Sequence, residues 1–187
     1  MEVVIVYESL FGNTRRVAEA IASGAKEADP VAVVHTSTTS EVGPEEVAGA
    51  DVVIVGGPTH LLGMSRPSSR RRAFQPEDKQ RAAQASPAPG AAGPGVREWL
   101  ETLPMARPRR SAAAFDTRLS SPLAGGAARG IARQLRRHGY RLTAKPAGFV
   151  VEGAKGPLRA GDLDRARAWG AEVVRGHGLK LTGRRAA

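Results

Sequence analysis

A doubly wound α/β fold is what this sequence predicts: a parallel sheet of five strands between two layers of helices. Two observations carry the expectation. Val3, Val4, Ile5 and Val6 form an unbroken β-branched run, and Val52, Val53, Ile54 and Val55 form another. Strands buried on both faces of a parallel sheet read this way. Beyond each run, apolar residues recur at helical spacing, so strand and helix alternate along the chain.

In the first helix Val17, Ala18, Ile21, Ala22 and Ala25 make the apolar stripe, while Arg15, Arg16, Glu19 and Lys26 take the other faces. Pro30 closes it, and residues 31–35 are the expected second strand. A polar turn over 36–40 leads to a short helix at 45–48, then to a third strand over 51–57. The fourth strand, 111–115, is weaker and led by alanines. A helix is expected from about Pro122, with Leu123, Ala127, Ile131 and Leu135 inward and Gly139 at its end. Its outer face carries Arg129, Arg133, Arg136 and Arg137. The fifth strand spans 140–151, and Pro146 and Gly148 predict a break near its middle. Asp162 is expected to cap the last helix, whose buried stripe is Leu163, Ala166, Trp169 and Val173. Residues 176–187 read as a frayed basic tail.

Residues 65–95 differ in character. Arg66, Arg70, Arg71 and Arg72 precede a Pro-Ala-Gly stretch over 86–95, and periodicity is weak apart from a candidate helix at 76–85. The segment reads as an insertion or mobile loop inside a single domain spanning 1–175. Trp99, Leu100 and Leu103 restore a helical pattern after it.

With 187 residues and 41% hydrophobic content, the chain can bury a substantial single core. Having no cysteine, it has no disulfides, no thiolate catalysis and no cysteine-built metal site. The four histidines, His35, His60, His138 and His177, show no metal-ligand spacing. No basic leader precedes the first strand and no apolar run approaches spanning length, so a cytoplasmic location without a membrane span is expected. The formal charge of +10 admits two readings. Its arginines are spread over a solvated surface, or they form a basic face for an acidic protein, an anionic lipid or nucleic acid.

The most informative stretch is Glu8-Ser9-Leu10-Phe11-Gly12-Asn13-Thr14, lying between the first strand and the first helix. Hydroxyl, amide and glycine residues at a strand-to-helix turn aim backbone N–H groups, side-chain donors and the positive end of the helix dipole at one point. Such a point is an anion site, most often for phosphate. No Gly-Lys-Ser or Gly-Lys-Thr follows the glycine, so this is not a Walker loop, and one glycine replaces the three of a dinucleotide fingerprint. The competing reading is an ordinary turn in which Asn13 or Thr14 caps the helix. Neither a Gly-x-Ser-x-Gly elbow nor the paired acids of a receiver domain occur, and no acid–base residues are assigned.

On these residues the sequence resembles the flavodoxin family, over roughly residues 1–175. Ser9, Leu10, Phe11, Gly12, Asn13 and Thr14 match its FMN phosphate loop residue by residue. Gly56, Gly57, Pro58, Thr59 and His60, continuing through Leu61 and Gly63, resemble the loop packed against the flavin and its ribityl chain. Phe115, Asp116, Thr117 and Arg118 fall where the family places the loop on the other side of the ring. The resemblance implies FMN as cofactor, a sheet order of 2-1-3-4-5, and a ligand crevice at the switch between strands 1 and 3. It also has departures. The family is generally acidic and often stacks a tryptophan and a tyrosine on the ring. Here only 4% of residues are aromatic, and the ring loops offer His60, Leu61, Arg118 and Leu119. If His60 and Arg118 flank the ring, their positive potential raises the flavin's reduction potential.

The implied function is an FMN-binding redox protein, either an electron carrier or a small flavin-dependent reductase. Its partner is a redox protein, for which an acidic surface is the natural match. The alternative is a flavodoxin-fold module with weak or no flavin binding, whose basic surface binds an acidic protein or nucleic acid. An FMN-dependent oxidase of the protoporphyrinogen type shares the fold, but nothing in the sequence specifies a tetrapyrrole site.

Overall fold

The computed structural model describes residues 1–60, 63–74, 93–120, 126–153 and 156–182. Five parallel segments build the sheet. They are β1 (Glu2–Tyr7), β2 (Val33–Thr38), β3 (Val52–His60), β5 (Ser111–Leu119) and a broken edge strand made of β6 (Arg141–Leu142) and β7 (Ala147–Val151). The order is β2-β1-β3-β5, with β6 and β7 both pairing with the far side of β5. This is the expected 2-1-3-4-5 order, and the break expected in the fifth strand lies between Leu142 and Ala147. The two-residue β4 (Gly63–Met64) adds an antiparallel hairpin to the end of β3, with Thr59 opposite Met64.

Alternate residues of a strand point to opposite faces, so these doubly apolar strands demand cover on both sides. On one face Val3, Ile5, Val52, Ile54 and Phe115 pack under α1 (Asn13–Ala28) and α6 (Asp162–Thr182). On the other, Val4, Val6, Val53, Val55 and Ala114 meet α2 (Pro44–Val47), α4 (Val96–Glu101) and α5 (Ala127–Arg137). A further helix, α3 (Pro67–Phe74), follows β4. The result is the three-layer architecture predicted from the sequence.

Several boundaries differ from the expectation. The second strand begins at Val33, because the chain first makes a turn after α1: the N–H of Val31 and that of Ala32 both bond back to Asp29. Val31 is consequently 83% exposed. Strands β3 and β5 run three and four residues past their apolar runs (His60 for Gly57, Leu119 for Phe115), since their ladder continues through Pro58 opposite Thr117 and β7 pairs with β5 as far as Leu119. The fourth helix pattern, expected from about Pro122, is helical from Ala127, after an extended Gly126; Leu123 lies outside the described residues.

Residues 176–182 are not a frayed tail but the last turns of α6. His177 anchors them: it is 4% exposed and its Nδ1 lies 3.0 Å from the buried Ser111 Oγ. Asp162 does not act mainly as a cap. Its carboxylate accepts the Val150 N–H at 2.5 Å and pairs with Arg159 and Arg165, tying α6 to the edge strand.

The 65–95 segment is fixed at both ends. The buried Glu8 carboxylate accepts Ser65 Oγ–H at 2.6 Å and the Val96 N–H at 2.9 Å, so one oxygen joins the chain before the segment to the chain after it. Arg70 pairs with Glu98 at 2.8 Å across the same junction. The candidate helix at 76–85 lies outside the described residues.

Candidate functional site

The crevice forms where sheet order reverses. β1 lies between β2 and β3, so the loops leaving β1 and β3 diverge and open a space at the carboxyl ends of the strands. A cavity of about 250 Å³ lies there, lined on the β1 side by Leu10, Phe11, Asn13 and Thr14. Pro58, Thr59 and His60 from β3 line it too, as do Thr117, Arg118 and Leu119 from β5. Val151 and Gly153 close it from the edge strand. Three groups predicted from separate parts of the sequence therefore meet in one cavity.

The β1 loop leaves the start of α1 uncapped by any side chain. Gly12 has φ of 88°, a left-handed conformation that a side chain would strain, and this turns the chain directly into α1. As a glycine it provides no side-chain cap, and α1 has no acid in its first turn. The positive end of the dipole is thus left without an internal counter-charge. Ser9 Oγ accepts the N–H of Gly12 at 3.1 Å and that of Arg15 at 3.4 Å. With its lone pairs so engaged, the Ser9 hydroxyl proton remains to be donated. Thr14 Oγ1 lies 2.8 Å from Thr117 Oγ1, a bond joining α1 to β5 across the crevice floor. The ordinary-turn alternative requires a side-chain cap from Asn13 or Thr14, and α1 shows none. This donor set, hydroxyls and a dipole without a basic side chain, fits a phosphomonoester.

The other predicted site residues divide into wall and support. Pro58, Thr59, His60, Thr117 and Arg118 are on the wall. Thr59 also supports, since its Oγ1 accepts the Ala127 N–H at 3.0 Å while Asp116 Oδ2 accepts that of Ala128 at 2.8 Å. Together they satisfy the first turn of α5 from outside the helix. Asp116 is wholly buried and holds Arg118 through both carboxylate oxygens, at 2.6 and 2.9 Å. Phe115 is not a crevice residue. Its ring is fully buried against Phe149 and Trp169, with edge-to-face centroids 6.3–6.4 Å apart. It shares a face of β5 with the wall residue Thr117 but lies two residues deeper in the ladder, opposite Gly56, where the core already covers it. Ser9 and Gly12 shape the loop from beneath, Gly63 belongs to the β4 hairpin, and Leu61 lies outside the described residues.

The wall is nearly neutral, contrary to the positive potential expected from sequence. Arg118 is compensated by Asp116. Burial of the Asp116 carboxyl pushes its pKa up, while the Ala128 N–H and Arg118 pull it back. For His60, burial and then the charge of Arg70 depress the pKa, so the ring is neutral at neutral pH. Val151 and Gly153 were missed altogether. The only signal for them was the end of the fifth strand, which the topology carries to the crevice rim. Among the described residues no cluster of potential ligands could hold a metal ion.

Comparison with known proteins agrees with this geometry. The flavodoxin family model matches residues 5–85, the stretch that holds the β1 loop and the crevice side of β3. The fold is flavodoxin-like. A flavodoxin from the domain Archaea superposes with a TM-score of 0.63 at 20% identity, covering 95% of this chain and 99% of that one. A flavodoxin from Streptococcus pneumoniae TIGR4 gives 0.64 at 15% identity, covering 94% and 98%. Rubredoxin oxygen:oxidoreductase from Desulfovibrio gigas gives 0.59 at 20% identity; 96% of this flavodoxin-like chain aligns with 37% of that larger one. No curated protein matches it in sequence. Likeness at these identities establishes the fold, and no helix among the described residues is long and apolar enough to cross a membrane.

Proposed function

We propose that this flavodoxin-like chain binds FMN in the crevice and acts in the cytoplasm as an electron carrier or small flavin-dependent reductase. The observation that carries the reading is the meeting of the Ser9–Thr14 loop, at the start of α1, with the β3 and β5 walls in one cavity at the sheet's switch point. Ser9, Gly12, Asn13 and Thr14 would hold the phosphate. Phe11, Pro58, His60 and Leu119 would supply apolar and aromatic contact for the ring, in place of a tryptophan–tyrosine pair.

Bound FMN supplies one- and two-electron chemistry, and the protein's part is to bind, orient and tune it. His60 held neutral, with Arg118 offset by Asp116, gives the ring surroundings of little net charge. As a carrier the protein needs a partner protein, and the net charge of +10 favours an acidic one. An absorption spectrum of the purified protein tests the reading at once. Flavin bands that persist through gel filtration support it. A colourless protein that also fails to take up added FMN overturns it.

A further inference from the structure

Beside the crevice lies a second hollow, of about 300 Å³, lined by Arg118, Arg129, Arg159 and Arg165 together with Ala128, Pro146, Gly148 and Val150. No acid lines it. The two carboxylates that hold these arginines, Asp116 and Asp162, contact them from outside the lining. Three of the guanidinium groups are seated. Arg118 is gripped by both oxygens of Asp116 and lies on Gly148, where a Cβ would come within 2.1 Å of its Nη2. Arg165 pairs with Asp162, donates to the Gly148 carbonyl at 2.5 Å, and lies 5.1 Å from the Phe149 ring centroid. Arg159 shares Asp162. Arg129 has no ion-pair partner among the described residues. Among the described residues three of the guanidinium groups thus share two carboxylates and the fourth has none, a surplus of two positive charges around one concavity.

Gathering like charges costs free energy, part of which a bound anion would recover. Fixed guanidinium forks suit a tetrahedral oxyanion, whose several oxygens can each accept from a different fork. A dianion would also match the uncompensated charge. The hollow is concave and small, the form of a ligand pocket and not of a flat protein-docking face. Arg118 lines both this hollow and the crevice, so a ligand held here lies next to the site proposed for the flavin.

We infer that the Arg118–Arg129–Arg159–Arg165 hollow is a second oxyanion site, which holds the phosphate of a small phosphorylated ligand whose remainder extends along Arg118 toward the crevice. The redox role of that ligand, as substrate or electron donor, rests on the flavin reading; the anion site itself does not. Occupancy would favour a reductase over a simple carrier.

The test is a calorimetric titration of the full chain, saturated with FMN, with inorganic pyrophosphate at low salt; potassium chloride of equal ionic strength is the control. Saturable binding is expected in the parent, weakened about tenfold or more in Arg159→Gln/Arg165→Gln, where two charge-assisted partners are lost. The exposed Arg129→Gln, which disturbs no buried contact, should weaken it severalfold. Asn13→Ala/Thr14→Ala, tested without flavin, should retain it. Equal affinity across the arginine variants, or heats no larger than those of chloride, would overturn the inference. So would preferential binding of a poly-glutamate peptide over pyrophosphate, which would make the hollow part of a protein-docking face. If the protein takes up no FMN but still binds pyrophosphate through these arginines, the flavin reading fails and this site stands.

Discussion

Glu8 shows how one residue can serve the fold at an electrostatic cost. One carboxylate oxygen joins the two ends of the 65–95 segment, while the other, Oε1, is buried with no hydrogen-bond partner among the described residues. Burial raises its pKa, against the opposing effects of Ser65, Val96 and Arg70. A carboxyl whose folded pKa lies above its unfolded value favours the folded state most when protonated. That contribution is full below the unfolded pKa and is lost as pH rises through the folded one. Glu8→Gln keeps an acceptor for Ser65 and Val96 without the charge. Urea unfolding at about pH 4 and about pH 8 should show the variant gaining stability relative to the parent on going from acid to neutral pH. A constant difference at both pH values would mean that Glu8 does not titrate as argued. At the crevice wall, Asp116→Asn keeps an oxygen for Ala128 but uncovers Arg118. The midpoint potential of bound flavin should then rise by tens of millivolts, on a scale of about 59 mV per tenfold change in a one-electron equilibrium. His60→Gln should leave it nearly unchanged above neutral pH, because the parent histidine is already uncharged. Spectroelectrochemical titration of both variants checks the pair.

Among the elements, those with two-sided burial were plain in the sequence. The β-branched runs of β1 and β3 and the apolar stripe of α1 are local signals, and all three formed where expected. What was not local was not legible. Polar strand ends such as Thr117-Arg118 carry no apolar signature, and pairing with β3 at Thr117 and with β7 as far as Leu119 extends β5 across them. The same holds for residues 176–182, basic and glycine-containing, whose helix is held by a tertiary contact from His177 to Ser111. Burial lowers the His177 pKa, so the contact is made by a neutral imidazole. Deleting residues 176–187 should therefore destabilise the fold, and His177→Ala alone should cost about 1–3 kcal/mol by leaving the Ser111 hydroxyl buried without it. Thermal denaturation gives the answer. A truncated chain as stable as the parent would restore the tail reading.

For the molecule as a whole, the aromatic residues explain the unusual crevice. Phe115 and Phe149 of the sheet and Trp169 of α6 form one edge-to-face cluster, and Trp99 is committed to the opposite layer, donating to the Val42 carbonyl at 2.8 Å. The few aromatics of the chain are mostly spent on its two cores, so the crevice is left with Phe11 and His60. Of the site, the β1 loop could be read from sequence because its chemistry is contiguous. The edge-strand contribution of Val151 and Gly153, and the Asp116 carboxylate that offsets Arg118, exist only once the sheet has assembled. Whether the loop at the start of α1 holds a flavin phosphate is decided by fluorescence titration of apoprotein with FMN. Saturable quenching is expected in the parent if the loop holds the phosphate. In Asn13→Ala/Thr14→Ala each lost charge-assisted bond should cost about 1.5–3 kcal/mol, with riboflavin, which lacks the phosphate, binding parent and variant alike. Equal FMN affinity in parent and variant would contradict it.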